Sequence, residues 1–162
     1  MKRLLSAVIL LSLLAACGIN PFKRGADPDV IGQSIYCGTP SQDAAVHYFD
    51  QAAAFGDWLE YRSIAEFDAE MASAGLVVVE MGQRPTGGYH LKLDASESRI
   101  DGDTLKLRMT WNAPRLDAAV SQALTSPCVA IKPPKGDFDR VEVRDQLDNL
   151  RGEVRTDEAL NH

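Results

Sequence analysis

Two runs of strict alternation meeting at an Asp-Gly pair constrain this chain more than anything else in it. Tyr89, Leu91, Leu93 and Ala95 share one parity, and His90, Lys92 and Asp94 the other. Beyond Asp101-Gly102, the residues Leu105, Leu107, Met109, Trp111 and Ala113 alternate with Lys106, Arg108, Thr110 and Asn112. Side chains on a strand point to opposite faces with a period of two, so each run buries one face and wets the other. Asp-Gly supplies the positive φ that a tight hairpin turn needs. The pattern predicts a hairpin of two half-buried antiparallel strands.

The remaining elements are read around that hairpin. Leu76-Val77-Val78-Val79 is a β-branched apolar run, as expected of a strand buried on both faces. Ile31–Tyr36 reads as a first short strand, ending at the turn Gly38-Thr39-Pro40-Ser41. Over residues 42–62, Tyr48, Ala52, Phe55 and Leu59 recur at helical spacing, widened by Ala45 and Phe49. This segment is the predicted helix, with Ser41 as its N-cap and Gly56 weakening its middle. Cys128–Lys132 alternates and stops at Pro133-Pro134, and Val141 and Val143 mark a last strand. The expected fold class is α+β: a mainly antiparallel sheet with one N-terminal helix packed on one face.

The first residues carry a different signal. Met1, Lys2 and Arg3 form a basic start, and Leu4–Leu14 is apolar apart from two serines. That run is shorter than the ~20 residues of a membrane-spanning helix and suits a cleaved leader. It ends in Leu14-Ala15-Ala16-Cys17, which resembles the bacterial lipobox. The resemblance implies a diacyl thioether on Cys17, cleavage after Ala16, and an acyl chain such as palmitate on the new amino terminus. Two or more chains anchor stably where one does not. Residue 18 is Gly and not Asp, which by resemblance to proteobacterial lipoproteins points to the periplasmic side of an outer membrane.

Losing Lys2 and Arg3 makes the formal charge, −6 for the whole chain, more negative still. An acidic chain without a basic run has no electrostatic footprint for nucleic acid. With Cys17 lipidated, Cys37 and Cys128 are left. An even remainder outside the cytoplasm favours a disulfide, the alternative being two separate buried thiols.

No catalytic pattern stands out. His47, His90 and His162 are scattered, and none has a Cys, Asp or Glu at zinc-ligand spacing. No serine sits in a nucleophile elbow. Asp101 and Asp103 flank a glycine without the other acidic positions of a calcium loop. Gly82 and Gly87 have phosphate-loop spacing, but Gly88 and Tyr89 replace the lysine and the hydroxyl residue, and a strand follows. No enzyme activity, cofactor, metal or small-molecule substrate is expected.

The same stretch is the most distinctive in the chain. Pro85 fixes one dihedral, while Gly87 and Gly88 permit positive φ, so the backbone can make a sharp excursion that presents Arg84. The alternative is a tight connection with Tyr89 anchored in the core. The run from Val77 through Gly82, Arg84, Pro85, Thr86, Gly87, Gly88 and Tyr89 to Leu93 is similar to the central motif of the protease-complex subunit PrcB domain. Thr125-Ser126-Pro127-Cys128 resembles that family's closing strand, and the resemblance covers residues 64–134. It implies a non-enzymatic, envelope-exposed accessory that binds or stabilises a protease. Pro85–Tyr89 is also similar to one loop of the chagasin-type inhibitors of cysteine proteases, whose other two binding motifs are absent.

The resulting organisation is a signal peptide at 1–16, a lipidated flexible tether at 17–30, a PrcB-like globular domain at 31–145 and a charged C-terminal extension at 146–162. The expected partners are the membrane, through lipid on Cys17, and a protease-like envelope protein at the loop Gly82, Arg84–Tyr89. The alternative is direct protease inhibition by Pro85–Tyr89.

Overall fold

The computed structural model describes residues 24–25 and 28–157. Cys17, His162 and the leader lie outside the described residues. Two sheets build the fold. Strands β1 (Arg24–Gly25), β5 (His90–Asp101), β6 (Thr104–Asn112), β8 (Arg140–Arg144) and β9 (Leu150–Arg155) form one, in that spatial order. Strands β2 (Asp29–Ser34), β7 (Cys128–Lys132), β4 (Leu76–Glu80) and β3 (Ala45–Phe49) form the other, wholly antiparallel. The first sheet is mixed, because β6 and β8 run parallel.

This overturns the α+β expectation of one mainly antiparallel sheet with a helix against it. The sheets pack face to face through Val77, Val79, Met81, Val129 and Ile131 on one side and Leu91, Leu105, Leu107, Met109, Val141 and Val143 on the other. A second cluster lies on the outer face of the four-stranded sheet. There Phe49, Leu76, Val78 and Ala130 meet Phe55 of α1 (Ala52–Glu60), together with Ile64, Phe67 and Ala72. Strand β4 is therefore buried along its whole length, as its β-branched run predicts. No described helix is long and apolar enough to cross a membrane.

The predicted 42–62 helix is the main local error. Its first part, Ala45–Phe49, pairs antiparallel with β4, and only Ala52–Glu60 is helical. Strand β3 carries packed apolar side chains on both faces, because Val46 and Tyr48 pack on the inter-sheet core while Phe49 packs on the outer one. A strand covered on both sides loses its polar alternation, and the aromatic spacing then imitates a helix. Ser41 accordingly caps no helix; Gln51 holds the N-cap position without a side-chain bond.

The β5–β6 hairpin forms as read, with Asp101 opposite Thr104 and Gly102 at φ +65°. A bulge between Asp94 and Arg99 interrupts it. Val141 and Val143 do lie on a strand, but β9 follows within the segment read as a charged end. At β9's centre Gly152 passes over Val46, whose Cγ2 would lie 2.7 Å from any added Cβ. A glycine at the inward position is what this approach requires, and it erases the alternation that would announce a strand.

Candidate functional site

Gly82 leaves the end of β4 at φ +84°, with the carbonyls of Gln42 and Asp43 where a Cβ would sit. No other residue fits that corner. The next residues are pinned from two sides. Gln83 N–H donates to the Ser41 carbonyl at 2.7 Å. Arg84 and Thr125 exchange both backbone bonds, at 2.7 and 3.0 Å. The Thr125 hydroxyl donates to the Thr86 carbonyl at 2.8 Å, and Gly87 N–H to the Ser121 carbonyl at 2.8 Å. Gly88 takes positive φ (+86°), packed against Pro114 and Val120, whereas Gly87 does not.

The loop is thus a braced structure. Pro85 and Gly88 are exposed, Thr86 and Gly87 half-buried, and Tyr89 leans on the inter-sheet core. The Arg84 guanidinium turns back and donates to the Met81 carbonyl. The surface offered outward is therefore mainly Pro85, Thr86 and the glycine backbone. Beside it lie exposed apolar side chains that no sequence pattern announces: Ile35 at 68%, Tyr36 at 58% and Leu124 at 60% exposure. Tyr36 bridges Ser126, and Thr125 bridges Arg84, so these segments gather at one pole of the sandwich.

Cys37 and Cys128 are joined in a disulfide across 91 residues, with Cα atoms 6.0 Å apart. The bridge fastens this pole. Cys37 N–H donates to the Ser126 carbonyl and hydroxyl, both at 2.9 Å, and Cys128 faces Glu80 across β4 and β7.

No sequence pattern singles out Glu80. Its side chain is 1% exposed; Oε1 accepts from Arg62 Nη1 at 2.8 Å and lies 3.1 Å from His47 Nε2. Arg62 also donates to the Cys37 carbonyl at 3.1 Å and stacks over Trp58, 4.1 Å from its centroid. Glu80 Oε2 has no protein partner. No local pattern could announce this cluster, since its members come from β3, β4 and the end of α1. Among the described residues, no group of three or more His, Cys, Asp or Glu is placed to hold a metal ion. His90 is exposed on β5, with Nδ1 3.4 Å from the Gly88 carbonyl.

Fold and site together define a two-sheet β protein that presents a rigid loop cluster at one pole. Residues 76–134 match the model of the family described as PrcB C-terminal, so the resemblance holds over that segment, the loop included, while residues 64–75 lie outside the match. No curated protein and no solved structure matches the chain.

Proposed function

We propose that this chain is a lipid-anchored envelope protein that serves a protease complex as a non-enzymatic binding subunit, with the Arg84–Tyr89 loop as the surface it presents. The observation that carries the reading is the PrcB C-terminal match over residues 76–134, because the loop lies inside it. A family of protease-complex accessories accounts for a braced loop better than an isolated turn would. Bracing of this kind lowers the entropy lost on association.

Register supports the anchoring half of the proposal. Strand β2 runs from Asp29, opposite Lys132, to Ser34, opposite Cys128. The chain therefore enters the sandwich at the pole away from the loop. A lipid on Cys17 would hold that entry pole nearest the leaflet and leave Pro85 and Thr86 facing a soluble partner. The disulfide suits an oxidising compartment.

The test is recovery of partners from membranes by a tagged chain, with Pro85→Glu as the loop variant. Wild type is expected to recover an envelope protease and the variant at least tenfold less. Equal recovery by a folded variant removes the loop from the interface. A purified product lacking fatty acid on Cys17 removes the anchor.

A further inference from the structure

The two sheets are closed differently along their two sides. On one side β3 and β9 meet, as the approach of Gly152 to Val46 shows. On the other, β5 and β2 are both terminal, apart from two residues of β1 against Arg99 and Ile100. Between these edges lies a groove of about 320 Å³ whose lining includes Ile35, Tyr89, Leu91 and Pro127.

The parity of the β5–β6 ladder fixes which backbone groups face this groove. Asp101 and Thr104 close the turn, so even-numbered residues of β6 point their backbone toward β5. Trp111 confirms it from the other side: its N–H and C=O bond the Gln146 side chain, at 3.0 and 3.3 Å. Leu91 opposes Trp111 and Leu93 opposes Met109, both non-hydrogen-bonded positions. The N–H and C=O groups of Leu91 and Leu93 therefore point away from β6, toward the side where, among the described residues, no strand lies. Leu91 is only 3% exposed. Backbone donors and acceptors at so covered a position are ordinarily paired.

Strand β2 offers no equivalent edge. It is bulged between Val30 and Gly32, and the Ser34 hydroxyl takes up both the N–H and the C=O of Tyr36. The free half of β5 is different. The same edge already accepts a strand at Arg99–Ile100, supplied by the chain's own β1.

We infer that the β5 edge at Leu91–Leu93 receives an extended peptide segment of the partner, which continues the line of β1 as an added strand. Its backbone bonds the outward groups of Leu91 and Leu93, and its inward side chains cover Ile35 and Tyr89. This rests on the reading of the loop pole as a partner-binding surface and names the partner's chemistry: an extended, apolar-alternating segment.

The test uses the full chain purified from membranes in detergent and a capped peptide, Lys-Val-Thr-Val-Thr-Val-Lys, as probe. Hydrogen–deuterium exchange is followed over residues 89–95. The peptide should slow exchange at Leu91 and Leu93 at least tenfold, and the same peptide N-methylated on alternate amides should not. Leu93→Pro, which removes an N–H the ladder does not use, should abolish the protection. Absence of protection by the plain peptide overturns the inference, as does equal protection by the methylated one. The assay contains no protease, so its failure and equal partner recovery by wild type and the loop variant are separate results.

Discussion

Arg84 and Thr125 exchange two backbone hydrogen bonds across otherwise irregular segments, at 2.7 and 3.0 Å. That pair makes the loop an extension of the sheet, and the Thr125 hydroxyl adds a third brace to Thr86. Thr125→Val keeps the shape and the backbone pair but removes the brace. It should lower stability by about 1 kcal/mol, the net value of one such bond. Urea denaturation of the two proteins measures the difference.

The glycines differ in what they tolerate. Gly82→Ala puts a methyl against two carbonyls at positive φ and should cost at least about 2 kcal/mol. Gly87→Ala, outside the positive-φ region with Ser121 Cβ at 3.3 Å, should cost under about 1 kcal/mol. Paired thermal melts rank them.

Arg62 is the main counter-charge to a carboxylate that is almost fully buried. Removing one partner of such a pair leaves the other uncompensated. Arg62→Ala should therefore destabilise by about 3 kcal/mol, while the double variant with Glu80→Gln should recover part of it. A double-mutant cycle in urea reads the coupling.

The disulfide joins two cysteines 91 positions apart in sequence. Replacing Cys37 and Cys128 by serine should lower stability by about 2–4 kcal/mol. The same loss should follow reduction of the native chain, and mass after alkylation should show two thiols released only by reductant.

Asp145 is buried at the β8–β9 turn. Burial opposes its ionisation, but bonds from the Asn149 side chain, the Asn149 and Leu147 N–H groups and Arg151 outweigh it, so the pKa falls from 3.8 to about 2. The folded chain then binds this proton less readily than the unfolded one. Its contribution to stability is present above pH 3.8 and is lost as the pH falls through about 2. Asp145→Asn should flatten that part of the stability–pH curve, measured by urea midpoints across the acid range.

Legibility in the sequence followed how many faces each element covers. Strands β5 and β6 were readable because each keeps one polar face, and Gly102 marked their turn. Strand β4 was readable as an unbroken β-branched run. Strand β3 was not, since Val46 and Tyr48 serve one core and Phe49 the other, leaving aromatic spacing without alternation. Strand β9 was hidden by Gly152, whose small size answers a neighbour more than 100 positions away. The distinctive part of the loop was legible because its glycines and proline are local constraints. Its braces at Ser41, Ser121 and Thr125, and the buried Glu80–Arg62 pair, depend on contacts the chain makes only once folded.

The most direct test of the central claim is photo-crosslinking in cells from a benzophenone side chain placed at Pro85, with Asp57 on α1 as the control position. A covalent adduct with an envelope protease from position 85, and none from position 57, is the predicted result. An adduct-free chain, or equal crosslinking from both positions, would contradict the assignment of this pole as the partner-binding surface.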